Sequence, residues 1–400
     1  MTDNTPAQIK IVPPVMELDS DAWAEQEDSD IEAEEEEQII IEAFDPNLIK
    51  VDTRPMTIDL VLSRIAHEEL DLAPDFQRQA GIWTTSAKSR LIESILIRIP
   101  LPAFYMDATE EDRWLVIDGL QRLTALKEFV QDKDLTLKGL EFLPQLENKS
   151  YDELPRNFQR RILESLLTVY VIEKGTPPEV KFTIFRRINR GGLPLSPQEL
   201  RHALNPGKAP KVLASLADSE EFKEATGIRD WRKKRMVDRE FVLRFLAFNI
   251  TNYQDYSSKS LDVFLNDAMV EINKMPEADL ALLESKFIKA MAGANEIFAK
   301  FAFRKRDKED LEKKYSINKA LFEAWSVSLG NLTEEEIKIL TERKDVLSDR
   351  FIDLMADDDD FQASISHGTS TGGKVKYRFK RIEKLIQNVL SEAVPPPSFS

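Results

Sequence analysis

The stretch that most constrains the fold is Trp114-Leu-Val-Ile-Asp-Gly-Leu-Gln-Arg-Leu-Thr-Ala-Leu-Lys-Glu-Phe129, because two periodicities meet within it. Its first four residues form a short apolar run rich in β-branched side chains, which is typical of a buried strand. From Leu120 onward the apolar residues recur at helical spacing, which indicates an amphipathic helix. The polar side chains of Asp118, Gln121 and Arg122 are therefore expected at a strand-to-helix corner.

Such a corner is suited to binding an anion, because the helix dipole and the unpaired amides of the first turn both favour negative charge. Gly119 allows a ligand to approach the backbone, and Arg122 offers a fork of donors that suits a phosphate. Gln121 could orient a water molecule, while Asp118 could hold a metal ion or accept a proton. The alternative is structural: Asp118 caps the helix and Arg122 pairs with it at the surface.

Residue usage excludes several kinds of chemistry. The chain has no cysteine, which rules out disulfides, thiolate zinc sites and a cysteine nucleophile. Its three histidines, His67, His202 and His367, argue against a histidine-metal nuclease centre, and we expect no protein-built metal site. No apolar run approaches the length of a membrane span, and the N-terminus lacks a signal pattern, so we expect a cytoplasmic protein without a membrane partner.

The negative charge is concentrated at the N-terminus. Residues 1–50 hold fifteen acids and two lysines, so they carry −13 of the formal net charge of −16. The remaining chain is nearly balanced, which leaves nucleic acid open as a partner. Residues 1–46 are predicted to be a disordered acidic arm, either a solvating tail, a phosphate mimic that occupies a basic groove, or a docking tail.

The remaining sequence predicts an α/β region followed by helices. We expect a helix from Thr53 to about Leu70, and a second helix capped by Thr85 or Ser86 and ended by Pro100. A hairpin pairs Ala103–Met106 with Trp114–Ile117, a helix spans Tyr151–Ser165, and a strand spans Leu166–Glu173. Another helix covers Pro178–Ile188, and Ser196 with Glu199 forms a capping box. Beyond Pro206 the predicted helices are Pro210–Ala217, Asp238–Phe248, Ser260–Met275, Ala278–Lys300, Ile317–Leu329, Glu334–Phe351 and Val375–Leu390, with a polar loop over residues 357–374.

Five ordered motifs resemble those of one family. The Asp118-Gly-Leu-Gln-Arg122 corner is similar to its signature Asp-Gly-Gln-Gln-Arg, and together the motifs are more specific than any one of them. The chain therefore resembles the N-terminal domain of GmrSD-type modification-dependent restriction systems, a branch of the ParB/sulfiredoxin-like superfamily, over roughly residues 50–390. The other motifs are Phe76-Gln-Arg78 with Trp83 and Lys88, Leu91–Ile95 with Ile99–Pro102, Phe185–Asn189 with Gly191-Gly192 and Leu195–Arg201, and Asp238–Phe245.

The resemblance implies an α+β fold, in which a small ParB/sulfiredoxin-like mixed α/β core precedes a mainly α-helical domain. The corresponding boundaries are an acidic arm over 1–46, a nucleotide-binding core over 47–205, a helical domain over 206–392 and a disordered tail over 393–400. It also implies that a nucleoside triphosphate, accompanied by Mg²⁺, is bound and hydrolysed to control restriction of foreign DNA. DNA cutting would fall to a separate nuclease or another defence protein, and an oligomer remains open.

The resemblance assigns roles to residues of this chain. Asp118, Gln121 and Arg122 would be catalytic. Leu120 departs from the signature glutamine; it either removes a ligand contact, which favours binding without hydrolysis, or faces the core without effect. Nucleotide contacts would come from Gln77, Arg78, Lys88, Gly119 and Asn189, although Lys88 could be a solvated helix residue and Asn189 a helix C-cap.

Basic and polar segments of the helical half provide further candidates. The best basic patch for nucleic acid comprises Arg229, Trp231, Arg232, Lys233, Lys234 and Arg235, followed by Arg239, and Phe303–Arg306 is a second. The loop with Thr369, Thr371 and Lys374, together with Arg378, could close over phosphates or be an exposed linker. Three functions thus remain: an NTPase of a defence complex, a nucleotide- or DNA-dependent switch without turnover, and a structural adaptor.

Overall fold

A five-stranded mixed sheet organises the first part of the chain. In the computed structural model its spatial order is β1-β5-β3-β4-β2, with antiparallel pairing of β1 with β5 and of β3 with β4, and parallel pairing of β3 with β5 and of β2 with β4. The strands are β1 (Val51–Thr57), β2 (Leu70–Asp71), β3 (Phe104–Ala108), β4 (Trp114–Asp118) and β5 (Leu166–Glu173). The residues described by the structure are 31–32, 50–72, 83–110, 112–176, 180–181, 184–185, 196–227, 236–257 and 260–393.

Four helices cover one face of the sheet. Alternation along the strands directs Phe104, Met106, Val116 and Val169 to this side, where all four are fully buried in one apolar core. The helices are α1 (Ile58–Ala66), α2 (Thr85–Leu96), α3 (Leu120–Lys127), which continues as a short π-helical segment over Glu128–Asp132, and α4 (Arg156–Glu164).

The opposite face is covered by a smaller apolar cluster. Ile117 and Ile172 contact Phe185 and Leu200, and Leu200 lies on α5 (Pro197–Leu204). The predicted capping box is present on α5, since the Glu199 amide donates to Ser196 Oγ at 3.2 Å and the Ser196 amide donates to Glu199 at 2.6 Å. A well-capped helix thus closes the second face of the sheet.

Several predicted boundaries are corrected by the structure. Residues 53–57 belong to β1, which pairs with β5 over its whole length, so α1 begins only after Thr57, whose hydroxyl accepts from the Leu60 amide. The cap of α2 is Thr84 rather than the predicted Thr85 or Ser86, and the helix ends at Leu96, four residues before Pro100. Over the predicted helix Tyr151–Ser165, a 3₁₀ turn at Tyr151–Glu153 comes first and α4 begins only after Pro155.

The second part of the described chain is built from helices around one large apolar core. Phe241, Phe245, Phe287, Phe322 and Trp325 are among its buried aromatic side chains. Its helices are α6 (Lys208–Ala217), α7 (Glu220–Thr226), α8 (Val237–Ile250), α9 (Leu261–Lys274), α10 (Glu277–Phe298), α11 (Lys319–Gly330), α12 (Glu334–Glu342), α13 (Lys344–Asp357), α14 (Asp359–Ser366) and α15 (Gly372–Ser391).

Two expectations in this region are wrong. Residues 334–351 form parts of two helices that are separated at Arg343, and the predicted polar loop over 357–374 contains α14. The acidic run supports this helix, because Asp358 accepts from the Phe361 amide at 2.8 Å as its N-cap. The fold class itself is confirmed: a small mixed α/β core precedes a mainly helical region. Within the described part of the chain, no helix is both long enough and apolar enough to cross a bilayer.

Candidate functional site: the strand-to-helix corner

The predicted corner is present, and Gly119 forms its turn. β4 ends at Asp118 and α3 begins at Leu120, with Gly119 as the N-cap at φ 101° and ψ 8°. A Cβ at this position would lie 2.8 Å from Cε1 of Phe104 and 3.2 Å from Nη2 of Arg122. Both the left-handed backbone and the close aromatic ring therefore require glycine, whether or not a ligand is present.

A β-bulge sets the direction of the last residues of β4. Met106 is paired with Val116, but the preceding residue of β3, Tyr105, is paired with Asp118, so Ile117 is an extra residue on β4. A bulge of this kind re-aims the side chains that follow it. The Asp118 carboxyl group is consequently placed opposite Tyr105 at the end of the strand.

Arg122 is buried at the corner and bonds to the protein itself. Its guanidinium donates to the carbonyl of Pro102, to the carbonyl of Ala103 at 3.1 Å and to Asp118 Oδ2 at 2.8 Å. The same group lies over the Phe104 ring, 4.2 Å from its centroid. Arg122 thus joins the start of α3 to the segment leading into β3. The ion pair with Asp118 expected in the structural alternative is present, but it is buried rather than at the surface, and the N-cap of α3 is Gly119 rather than Asp118.

Burial shifts the pKa values of both members of the ion pair toward their neutral forms. The pKa of Asp118 is raised by desolvation, an effect that Arg122 and the Gly119 amide only partly offset. The pKa of Arg122 is lowered by the same burial and partly restored by Asp118. About 33% of the Asp118 side chain remains exposed, against 11% for Arg122. The carboxylate is therefore the more accessible of the two groups.

The first turn of α3 contributes the other predicted residues. Gln121 is half-buried, and the N-cap Gly119 supplies no side-chain hydrogen bond to the helix amides. Leu120, which replaces the signature glutamine, is partly buried against the apolar core of the α/β region. Its position agrees with the expectation that a leucine facing the core leaves the corner intact.

Two tyrosines beside Asp118 were not anticipated from the sequence. Tyr105 and Tyr170 are paired in register on β3 and β5, and their rings stack with centroids 5.0 Å apart. The pKa of Tyr105 is raised by burial, by Tyr170 and by the charge of Asp118. The sequence signal was the alternation along each strand, which places Tyr105 and Tyr170 on the opposite side from Phe104 and Val169.

Lys88 is not brought to the corner. It is buried on α2, and its ammonium donates to both carboxylate oxygens of Glu128 at 2.8 and 2.6 Å. Glu128 follows the last residue of α3, about 12 Å along the helix axis from its first turn. Lys88 is therefore neither the predicted solvated residue nor a side chain directed at the corner.

The remaining predicted nucleotide-binding and nucleic-acid-binding residues belong to segments outside the described part of the chain. Gln77, Arg78 and Asn189 lie outside the described residues. So does the whole basic segment with Arg229, Trp231, Arg232, Lys233, Lys234 and Arg235.

The second basic segment is used in the structure itself. Arg304 is buried and donates to the carbonyls of Ala302 and Thr226. Arg306 lies over the Phe301 ring, 3.7 Å from its centroid, and donates to the Leu311 carbonyl. These contacts stabilise the helical region. The two arginines are therefore not free cations that could bind a nucleic-acid backbone.

Of the residues predicted to form a lid, Arg378 is buried in the helical region, whereas Thr371 is exposed and Thr369 and Lys374 are partly exposed. Arg378 is 1% exposed, and its guanidinium donates to Glu323 and to the Thr369 carbonyl. Its charge is therefore neutralised inside the helical region. Among the residues that the structure describes, no group of three or more histidine or acidic side chains is arranged to hold a metal ion.

The fold and the corner together define a class: a small mixed α/β fold in which strand β4 turns through an Asp-Gly-Leu-Gln-Arg sequence into a helix, followed by a mainly helical region. Residues 59–205 match the family described as GmrSD restriction endonuclease, N-terminal domain. The recognition made from the motifs is thereby confirmed for this part of the chain, and the match associates the protein with restriction systems. No curated protein matches the chain. The motif at Asp238–Phe245 lies beyond the matched residues and stays a prediction.

Proposed function

We propose that the chain is a nucleoside-triphosphate-binding component of a DNA restriction or anti-phage defence system in the cytoplasm, and that it acts with a separate nuclease. The main support for this proposal is the strand-to-helix corner, which lies within the matched residues 59–205. There the first turn of α3 has no side-chain cap, and a partly exposed carboxylate lies next to it. The N-terminus of a helix is suited to binding phosphate oxygens, because its dipole and its backbone N–H groups favour negative charge.

A magnesium ion would have to arrive with the nucleotide. Asp118 is the carboxylate at the corner, and the described residues do not surround it with further acidic or histidine ligands. Mg²⁺ in nucleotide sites is commonly held by one or two carboxylates together with substrate phosphates and water. Asp118 fits this arrangement, in which the bound ion would neutralise phosphate charge.

We further propose that the bound nucleotide is hydrolysed at the corner. Gln121, in the first turn of α3, is the proposed residue for orienting the attacking water, and Asp118 would act through the metal or as a proton acceptor. Arg122 is proposed as a positioning residue, since its guanidinium holds Asp118 and the backbone before β3. The same contacts favour a second candidate, a switch that binds nucleotide or DNA without turnover.

Calorimetric titration of the full chain with GTP and with ATP, in the presence and absence of Mg²⁺, tests binding. The key variant is Asp118→Asn, and Asp132→Asn is its matched control. Both aspartates are 33% exposed at the side chain and both are paired with a cation of the same helical segment. We expect Asp118→Asn to weaken Mg²⁺-dependent binding about tenfold. Binding without Mg²⁺ should not weaken, because a negative charge beside the phosphates has been removed.

Phosphate release measured on these proteins and on Gln121→Ala separates the two candidates. Turnover that falls in Gln121→Ala while nucleotide affinity is retained supports hydrolysis at this corner. Binding without phosphate release, with and without DNA, supports the switch. If the wild-type chain binds neither nucleotide while its melting temperature shows it to be folded, the nucleotide proposal is wrong and the adaptor remains.

A further inference from the structure

A short piece of the acidic arm is attached to the helical region. Ile31 forms a parallel β-bridge with Ile317, and the Glu32 amide donates to the Ile317 carbonyl at 2.9 Å. Ile317 also forms an antiparallel bridge with Arg304, so the arm adds a third extended segment to a small existing pair. Ile31 packs against the core of the helical region. This is the geometry by which an extended peptide docks on an exposed backbone edge.

The side chain of Glu32 is held by two donors. Its Oε1 accepts from the Lys305 ammonium at 2.6 Å, and its Oε2 accepts from Asn318 Nδ2 at 3.0 Å. Lys305 also donates to Ser366 Oγ at 3.0 Å. A carboxylate is an acceptor only, so it can satisfy an ammonium and an amide at the same time.

Asn318 requires a hydrogen-bond acceptor at this position. It is 4% exposed, and its Oδ1 caps α11 by accepting from the Leu321 amide at 2.8 Å. With the oxygen committed to the cap, the amide nitrogen must find acceptors on its other side, which are the Ile365 carbonyl at 2.7 Å and Glu32. The N-terminus of α11 favours the same negative charge through its dipole.

We propose that Lys305, Ile317, Asn318 and Ser366 form an arm-docking site for an extended apolar-acidic dipeptide, and that its occupant is Ile31-Glu32 of the same chain. The run Glu34–Glu37 begins two residues after Glu32 in the sequence, so the docked dipeptide tethers a strongly acidic segment to the helical region. A tethered segment competes at high effective concentration, so a polyanion approaching this side would have to displace it. The proposal does not depend on nucleotide binding at the corner.

Distance measurement between two spin labels tests the docking directly in the full chain. The protein has no cysteine, so Ser29→Cys and the exposed Glu309→Cys provide unique labelling sites on the arm and beside Lys305. We expect one short, narrow distance population. Glu32→Lys, which places a cation against Lys305 and Asn318, should lower the ratio of docked to undocked arm about tenfold. Lys305→Glu should do the same through repulsion between two carboxylates.

Glu36→Lys is the matched control, since it makes the same charge change four residues further along the arm. The short distance should persist in this variant, and thermal unfolding should show that all the proteins are folded. A short distance that survives both Glu32→Lys and Lys305→Glu would overturn the proposal, as would its equal loss in Glu36→Lys. Dilution of the doubly labelled chain with excess unlabelled chain identifies the occupant. A preserved distance supports docking within one chain, whereas its loss shows that a second copy supplies the arm.

Discussion

The guanidinium of Arg122 donates to Asp118 at 2.8 Å across the strand-to-helix corner, four residues back along the chain. It also donates to the backbone carbonyls of Pro102 and Ala103, which come directly before β3. One side chain therefore fixes the end of β4, the beginning of α3 and the path into β3 relative to one another. Any ligand chemistry at the corner depends on this arrangement, because it determines where the Asp118 carboxylate lies.

Removing the guanidinium should destabilise the fold. Arg122→Gln leaves the Pro102 and Ala103 carbonyls and the Asp118 carboxylate with too few donors, and we expect a loss of about 2–4 kcal/mol in unfolding free energy. Lys127→Gln on the same helix breaks an exposed pair with Asp132 and should cost about 0–1 kcal/mol. Urea unfolding of both variants makes the comparison. If both variants lose the same small amount of unfolding free energy, the Arg122 guanidinium is not needed for stability and is available to bind a ligand.

Replacing Gly119 by alanine should combine two penalties. The positive φ is strained for any residue with a Cβ, and that Cβ would collide with the Phe104 ring. We expect about 2–4 kcal/mol of destabilisation, from backbone strain and overpacking together. Gly227→Ala is the control, because Gly227 has φ 63° but no atom within 4 Å of the added Cβ. It should cost only about 1 kcal/mol, and a cost equal to that of Gly119→Ala would refute the role of Phe104.

Local sequence patterns predict much of the fold. The periodicity change at Asp118 located the corner, the predicted strand Leu166–Glu173 has the observed bounds, and Ser196 with Glu199 forms the predicted capping box. The helical spacing of the apolar residues beyond residue 57 predicts that the helix already begins at Thr53. The strand conformation of residues 53–57 depends on pairing with β5, more than 100 residues away, and single-segment periodicity contains no information about that pairing.

The sequence predicts which residues form the site, but not which groups their side chains contact. The residues Asp118, Gly119, Gln121 and Arg122 do come together, as the motif indicated. Arg122 donates to backbone carbonyls about twenty residues earlier, and Lys88 forms an ion pair with Glu128. Both contacts follow from how β3 and α2 pack against α3. Such contacts between distant segments arise only in the folded chain. The docking of Glu32 on Lys305 belongs to the same category.

Asp118 should make stability fall as the pH rises through the acidic range. Its pKa in the folded chain is raised above the ordinary value of 3.8, chiefly by burial, so the folded state binds its proton more tightly than the unfolded state. The favourable contribution is complete below pH 3.8 and is lost as the pH rises through the folded pKa. We expect the stability of the wild type relative to Asp118→Asn to decrease over this window and then to level off. Urea unfolding at a series of pH values measures the difference, and Asp132→Asn serves as control; an increase with pH would contradict the assignment.

Glu240 should behave in the opposite way. Burial alone would raise its pKa, but Lys319, Arg244 and Arg201 outweigh that effect and hold the pKa well below its ordinary value of 4.5. Its Oε1 accepts from Arg244 at 2.7 Å and from Lys319 at 3.2 Å, while Arg244 also bonds to the buried Glu323. The stability that Glu240 provides is present above pH 4.5 and is lost as the pH falls toward the folded pKa.

Glu240→Gln tests this contribution, because the amide keeps the shape of the side chain but leaves two buried cations without their shared anion. At neutral pH we expect a loss of about 3–5 kcal/mol in unfolding free energy. The difference in unfolding free energy between the variant and the wild type should decrease as the pH is lowered below 4.5. Below this pH Glu240 becomes protonated in the unfolded wild type, which removes the extra stability of the folded wild type. Glu392→Gln, which breaks an exposed pair with Arg350, is the matched control and should change stability little. If the difference in unfolding free energy does not vary with pH, the stability lost in Glu240→Gln comes from packing rather than from charge.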